Sequence, residues 1–187
     1  MELAKRTQSI KNNHNTGFTL VELLLVIALI AISVTVTGDI LVSLIRSYNK
    51  TNVINEIEQE SNFVGQKIEK DLRNATIVTV QNSGTQLSMQ TLTGMIYYNY
   101  ANNNLYRSTT GFSTSANDAL VSNAVTTTTI GGVNISQIGA AQVFELLPGT
   151  PQVVNIKMRF NQAQASPVVS FEGEVQLINT IVIRNSY

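Results

Sequence analysis

The 187-residue chain has no cysteine and no tryptophan, a single histidine (His14), three prolines, and only 13% charged residues. Without cysteine there is no disulfide, no thiolate metal site and no cysteine nucleophile. His14 precedes the long apolar run, so the rest of the chain has no imidazole for a Ser-His-Asp arrangement or a histidine metal site. The charged fraction is about half the ~25% usual in soluble domains. With 43% hydrophobic residues, this composition leans toward a membrane or a packed assembly. Net charge is zero. Lys5, Arg6 and Lys11 against Glu2 give the first 17 residues a surplus of two positive charges, which leaves the remainder weakly acidic. Binding a nucleic-acid backbone needs clustered Lys and Arg, and bulk charge does not supply it. No Gly-rich phosphate loop is present, because Gly131-Gly132 lacks both the spacing and the lysine.

What the chain does have is one long apolar stretch. Phe18 to Thr37 is 20 residues, which as a helix extends about 30 Å and matches the hydrocarbon core of a bilayer. A secretory signal has a shorter apolar core, about 7 to 15 residues, ending in small residues of the A-x-A kind. No such site follows here before Asp39. The basic residues ahead of the run favour a cytoplasmic N-terminus.

One carboxylate, Glu22, interrupts the start of this stretch. An ionised acid in hydrocarbon is costly and marks function unless it reaches the interface or finds a partner. A boundary acid at the cytoplasmic end is one reading. The other arises if the chain is cut between Gly17 and Phe18. The new α-amino group, with an ordinary pKa near 8, is then a cation at a helix start, and Glu22 lies about one turn inside.

Gly17-Phe18-Thr19-Leu20-Val21-Glu22-Leu23-Leu24, followed by Leu25 to Ile32, resembles the processing and assembly motif of type IV prepilins and type II secretion pseudopilins. The resemblance implies that residues 1–17 are a leader removed by a prepilin peptidase, a membrane aspartyl protease that also methylates the new N-terminus. Gly17 would be the last leader residue, Phe18 the N-methylated first residue of the mature protein, and Glu22 the assembly acid that neutralises the N-terminus of a neighbouring subunit. The implied partners are other pilin or pseudopilin subunits, the peptidase and an inner-membrane assembly platform, with the membrane as host before assembly. The implied location is a single pass through the inner membrane, then a pilus or pseudopilus. No enzymatic activity, cofactor or metal is expected.

The helical pattern continues through Ile40, Leu41, Leu44, Ile45 and Tyr48, and again through Val53, Ile57, Val64, Ile68 and Leu72, with Glu56, Glu58, Glu60, Lys67, Glu69, Lys70 and Arg73 on the other face. The expected helix covers residues 18–75, its first half (18–37) transmembrane. In similar pilins a stretch near Gly38 melts during assembly, and Gly38 permits this here. From Ile77 the texture becomes β: runs at 77–80, 86–92, 95–100 and 105–107, separated by Asn82-Ser83-Gly84, Thr93-Gly94 and Asn102-Asn103-Asn104. Residues 108–128, rich in Ser, Thr, Asn and Ala, are expected to form a long surface loop. Further runs follow at 142–147, 153–160 and 168–184. The last is too long for one strand, so a bend or bulge is expected at Gly173 or Asn179. The predicted fold is α+β and pilin-like, a long N-terminal helix on an antiparallel sheet in a β-rich domain covering 76–187.

"GQKIEKDLRNATIV" and "INTIVIRNSY" also resemble features of minor pilins and pseudopilins, which implies a minor subunit. Two further groups are candidates for chemistry or binding. Glu172 and Glu174 share one face of a strand, as an acid pair can, although an exposed edge or a calcium-attracting patch accounts for them as well. Tyr97, Tyr98, Tyr100 and Tyr106 beside Arg107 form an aromatic group, with Tyr106 and Arg107 as candidate binding residues for a tip-located adhesin or DNA-contacting pilin. Core and cross-strand packing is the alternative. A membrane-tethered protein that is never cleaved is the third reading.

Overall fold

The computed structural model describes residues 17–121, 132–163 and 173–183. One α-helix, α1, runs from Leu20 to Arg73, 54 residues without a break. It contains no proline, and Lys70 and Arg73 stand in its last turn, where cations complement the carbonyl end of the helix dipole. Ser33, Thr35, Thr37 and Thr51 each donate their hydroxyl to the carbonyl four residues back. The hydroxyls of Ser33, Thr35 and Thr37 in the apolar half are thereby satisfied within the helix itself. The helix passes unbroken through Gly38.

The chain divides into two compact units, Met1–Leu44 and Ile45–Tyr187. In the first, every described residue from Gly17 to Leu44 is exposed. In the second, Ile57, Ser61, Val64, Gly65, Ile68, Asp71 and Leu72 are buried along one face of α1, the spacing of a helix laid on a sheet.

Two antiparallel sheets complete this unit. The first is a meander of β1 (Ala75–Gln81), β2 (Gln86–Thr91), β3 (Gly94–Ala101) and β4 (Asn104–Ser108), in that spatial order. Asn102 and Asn103, both at positive φ, make the two-residue turn between β3 and β4, the arrangement in which asparagine is favoured. In the second sheet β7 (Val153–Gln162) is central, with β5 (Val133–Ser136) and β6 (Phe144–Leu147) on one flank and β8 (Glu174–Val182) on the other. Val154, Ile156, Met158 and Phe160 alternate inward along β7 and join Val64, Ile68, Leu72, Leu87, Met89 and Tyr98 in one core. Gly84, at φ +82°, stands where the β1–β2 turn meets the approach to β6. A Cβ there would lie 2.5 Å from Gln142 Cβ and 2.6 Å from the Phe144 carbonyl oxygen.

Several details differ from the sequence expectation. α1 stops at Arg73, and Ala75 already pairs with Thr91. The run from 142 becomes a strand only at Phe144. β5, a four-residue strand of sequence VNIS, has no counterpart among the expected runs, being too short for alternation to show against its polar surroundings. In the expected loop, residues 109–121 are tied back to β4 by a bridge between Tyr106 and Ala119 and a backbone bond from Leu120 to Leu105; 122–128 lie outside the described residues. The register of β8 against β7 continues unbroken through Asn179, which is therefore no bulge. Gly173 immediately precedes β8, where a Cβ would meet Ile57, Ile54 and Val53 of α1 at 3.0–3.4 Å.

Candidate functional site: the start of the long helix

Gly17, Phe18 and Thr19 are exposed and non-helical, and α1 begins at Leu20. Threonine is a good residue for this boundary because its side-chain oxygen can cap a free backbone N–H. Here Thr19 Oγ1 accepts from the backbone N–H of Glu22 at 3.2 Å, while Glu22 Oε2 accepts from the Thr19 backbone N–H at 2.9 Å and from its hydroxyl at 3.0 Å. This reciprocal pair is a capping box, which satisfies two of the orphan donors at a helix start. Sequence reasoning missed this role for Thr19, although T-x-x-E ahead of an apolar run is its signature.

Two consequences follow for the residues singled out in the sequence. The Gly17–Phe18 bond lies ahead of the helix in accessible backbone; among the described residues beyond its chain neighbours, none has an atom within 4 Å of the position a Gly17 Cβ would take. Glu22 uses only Oε2 in the cap. Oε1 has no hydrogen bond among the described residues, so one carboxylate oxygen faces outward while the other holds the helix start. Beyond it, α1 is long and apolar enough to cross a membrane, and Phe18 is 82% exposed.

The tyrosine group is divided by the fold. Tyr98 is fully buried, and its hydroxyl donates to Asp71 Oδ2 at 2.7 Å. Arg107 Nε donates to the same oxygen at 2.7 Å. Burial and the adjacent Asp71 carboxylate push the Tyr98 hydroxyl well above its ordinary pKa, and the bond to Asp71 raises that of Arg107. Tyr106 is only 7% exposed, Tyr100 donates to the Ile135 carbonyl at 3.3 Å, and Tyr97 stands edge-on to Phe112. Tyr106 is thus packed into the fold, and Arg107 is held by Asp71. Of the acid pair, Glu172 lies outside the described residues, and Glu174 pairs with Arg159 at 3.2 Å and accepts from Gln176. Among the described residues no three His, Cys, Asp or Glu side chains gather as a metal site.

Residues 12–38 match the family described as the prokaryotic N-terminal methylation motif. No curated protein and no solved structure matches the chain. The chain thus carries a prepilin-type methylation motif at the head of an apolar helix, on a pilin-like α+β architecture. The motif supports a type IV pilin or pseudopilin precursor. In general it implies a structural role, membrane anchoring, and a prepilin peptidase and other pilin subunits as partners.

Proposed function

We propose that this protein is a filament subunit of a type IV pilus or a type II secretion or competence-type pseudopilus. In this reading residues 1–17 are a leader, cleavage falls between Gly17 and Phe18, and Phe18 becomes the N-methylated terminus. Residues 18–37 hold the precursor in the cytoplasmic membrane with its N-terminus inside, and 76–187 form the β-rich domain carried on the far side. Glu22 then pairs with the N-terminal amine of a neighbouring subunit as the helix leaves the bilayer for the filament core. The weaker resemblance adds a minor place in the filament.

The observation that carries the reading is the methylation motif placed on a helix that is exposed on every side from Leu20 to Leu44. A surface of that size and apolarity needs lipid or other helices around it. The outward Oε1 of Glu22 supports the role of that acid, since capping occupies only Oε2. Methylation leaves an amine charged, so the ion pair survives the modification.

The test is N-terminal and intact mass spectrometry of the protein from its native cells, on membranes and on sheared surface filaments. A mature chain starting at N-methylated Phe18, present in filaments, is expected. Gly17→Val should stop cleavage, and Glu22→Ala should leave cleavage intact while filament incorporation falls. Its abundance relative to other filament proteins measures the minor role. A chain that still begins at Met1 and never leaves the membrane fraction overturns the reading.

A further inference from the structure

β8 pairs with β7 along all nine of its residues, and among the described residues no strand lies on its other side. In an antiparallel ladder both backbone groups of a residue turn to the same neighbour, and the side alternates from one residue to the next. The Ile183 N–H donates to the Gln152 carbonyl at 2.8 Å, so Val175, Leu177, Asn179 and Ile181 also face β7. The N–H and C=O groups of Glu174, Gln176, Ile178, Thr180 and Val182 therefore point to the open edge. Sheets blunt such an edge with a proline, a lysine, a bulge or a covering loop. β8 has no proline or lysine, and its register to β7 is unshifted. β4, an outer strand of the first sheet, is by contrast covered by the Tyr106–Ala119 bridge and the bond from Leu120 to Leu105.

A row of free donors and acceptors along a strand fits an extended chain, which adds as one more strand. The two faces of β8 define what its side chains must be. On the outer face Ile178 is 64% and Val182 48% exposed, and Val182 continues a row through Val153 to Leu147. On the other face the neighbour is α1. Gly173 approaches Ile57, and Leu177 approaches Gly65, so β8 runs along the helix in the same direction. Glu58 stands seven positions before Gly65, within about 20° of it around the helix, and so flanks the start of β8. It is exposed and has no hydrogen bond or ion pair among the described residues. The edge thus calls for a strand that is apolar on one face and basic on the other. Among the described strands a second copy supplies none. β1 and β8 contain no lysine or arginine, while β4 is covered and its Arg107 is held by Asp71.

We propose that the free edge of β8 is a docking site at which a different protein adds an extended strand, with apolar side chains beside Ile178 and Val182 and a lysine or arginine beside Glu58. Antiparallel addition, the better-bonded geometry, puts the apolar residues at the first and fifth positions of that strand, opposite Val182 and Ile178. The basic residue is then at the eighth, opposite Val175 and level with Glu58. Charge complementarity selects the partner, and the inference does not rest on the filament reading, which N-terminal mass spectrometry decides separately.

The probe is a synthetic peptide with valine, isoleucine and lysine at its first, fifth and eighth positions and threonine elsewhere, added to the full chain in detergent micelles. At saturation, amide exchange at Gln176, Ile178, Thr180 and Val182 should slow at least about tenfold as each gains a hydrogen bond. Asn179 and Ile181, already bonded to β7, should change little. Ile178→Pro removes an edge donor without touching the ladder to β7, and should abolish the effect. Glu58→Lys, on an exposed helix position, should weaken the peptide roughly three- to tenfold. A peptide with glutamate in place of its lysine should show the reverse preference. In native cells, a photo-crosslinking residue at Thr180 should join the chain to a strand of another protein with this pattern. No slowing with the wild-type chain, or equal binding to wild type and Glu58→Lys, overturns the proposal. So does slowing that appears without peptide as the chain is concentrated, or a crosslink to a second copy or to a segment lacking the pattern.

Discussion

Asp71 Oδ2 receives two donors at 2.7 Å, the Tyr98 hydroxyl and Arg107 Nε, so the last turn of α1 is fastened to β3 and β4 through a single oxygen. Removing one donor and removing the acceptor have different costs. Tyr98→Phe leaves the ion pair intact and should lower stability by about 1.5–3 kcal/mol, the range for a hydrogen bond to a charged group. Asp71→Ala strands Arg107, whose side chain is 24% exposed. Water relieves part of that penalty, so the expected loss is about 2–4 kcal/mol, near the lower edge of the range for broken buried pairs. Urea unfolding of the full chain in detergent would separate the two. The raised Tyr98 pKa also fixes a sign. The folded state favours the neutral phenol, so this contribution is whole below the ordinary tyrosine pKa of about 10 and is lost as pH rises above it. Wild type should therefore lose stability above about pH 10 more steeply than Tyr98→Phe. Gly84 is the other residue where a single atom decides. A methyl group there faces a positive φ and the Phe144 carbonyl at 2.6 Å, so Gly84→Ala should cost about 2–4 kcal/mol in the same unfolding measurement.

At the level of elements, α1 is defined by what happens at its start and where it meets β8. Thr19→Val keeps the shape of the side chain but loses the hydroxyl through which both cap contacts to Thr19 Oγ1 run. The expected cost is about 1 kcal/mol, seen as roughly fivefold faster amide exchange in the first helical turn. Gly65 lies under Leu177 of β8, with a Cβ falling 3.2 Å from Leu177 Cδ1. Two effects compete in Gly65→Ala: about 1 kcal/mol gained from helix propensity, and a shift of a few tenths of an ångström in a flexible leucine end. These nearly cancel, so thermal unfolding should move little. Gly65→Phe has no such balance, because a ring at this point forces β8 off the helix, and a large loss of stability is expected. Element types were legible because helices and strands leave different periods in sequence, 3.6 and 2 residues. The alternation Val154-Ile156-Met158-Phe160 is buried in that order. The boundaries were less legible. The helix stop at Arg73 and the late start of β6 depend on pairing partners far away in the chain, such as Thr91 for Ala75 and Ile156 for Phe144.

For the molecule as a whole, the long helix divides into a half exposed on all sides and a half buried along one face of the β domain. The first half should hold the precursor in a membrane. Each lysine placed at the centre of a transmembrane helix costs about 2.5–3.5 kcal/mol on insertion scales. Val26→Lys combined with Ile30→Lys should therefore abolish retention of the full chain in membranes after an alkaline wash, where wild type remains. Unchanged retention of the double variant would mean that this stretch does not span. The same two residues are far from the buried face of α1 that begins at Ile57, so the β domain itself should keep its unfolding transition.

The sequence alone determined the features that depend on neighbours along the chain. These are the apolar length that matches a bilayer, the Gly17-Phe18 junction ahead of Glu22, a helix-to-strand change between Leu72 and Ile77, and the turns at Asn82-Ser83-Gly84 and Asn102-Asn103. Such features arise from local sterics, burial period and backbone preference, which operate over a few residues. Only the tertiary structure decided the division of the tyrosine group, because Tyr98 meets Asp71 across 27 positions and Arg107 meets it across 36. It likewise decided that β7 is central, that Asn179 continues a regular strand, and that Gly84 is fixed by Gln142 and Phe144. Contacts of that kind are set by how sheets stack and which side chains fill the space between them, and no local pattern records the partner.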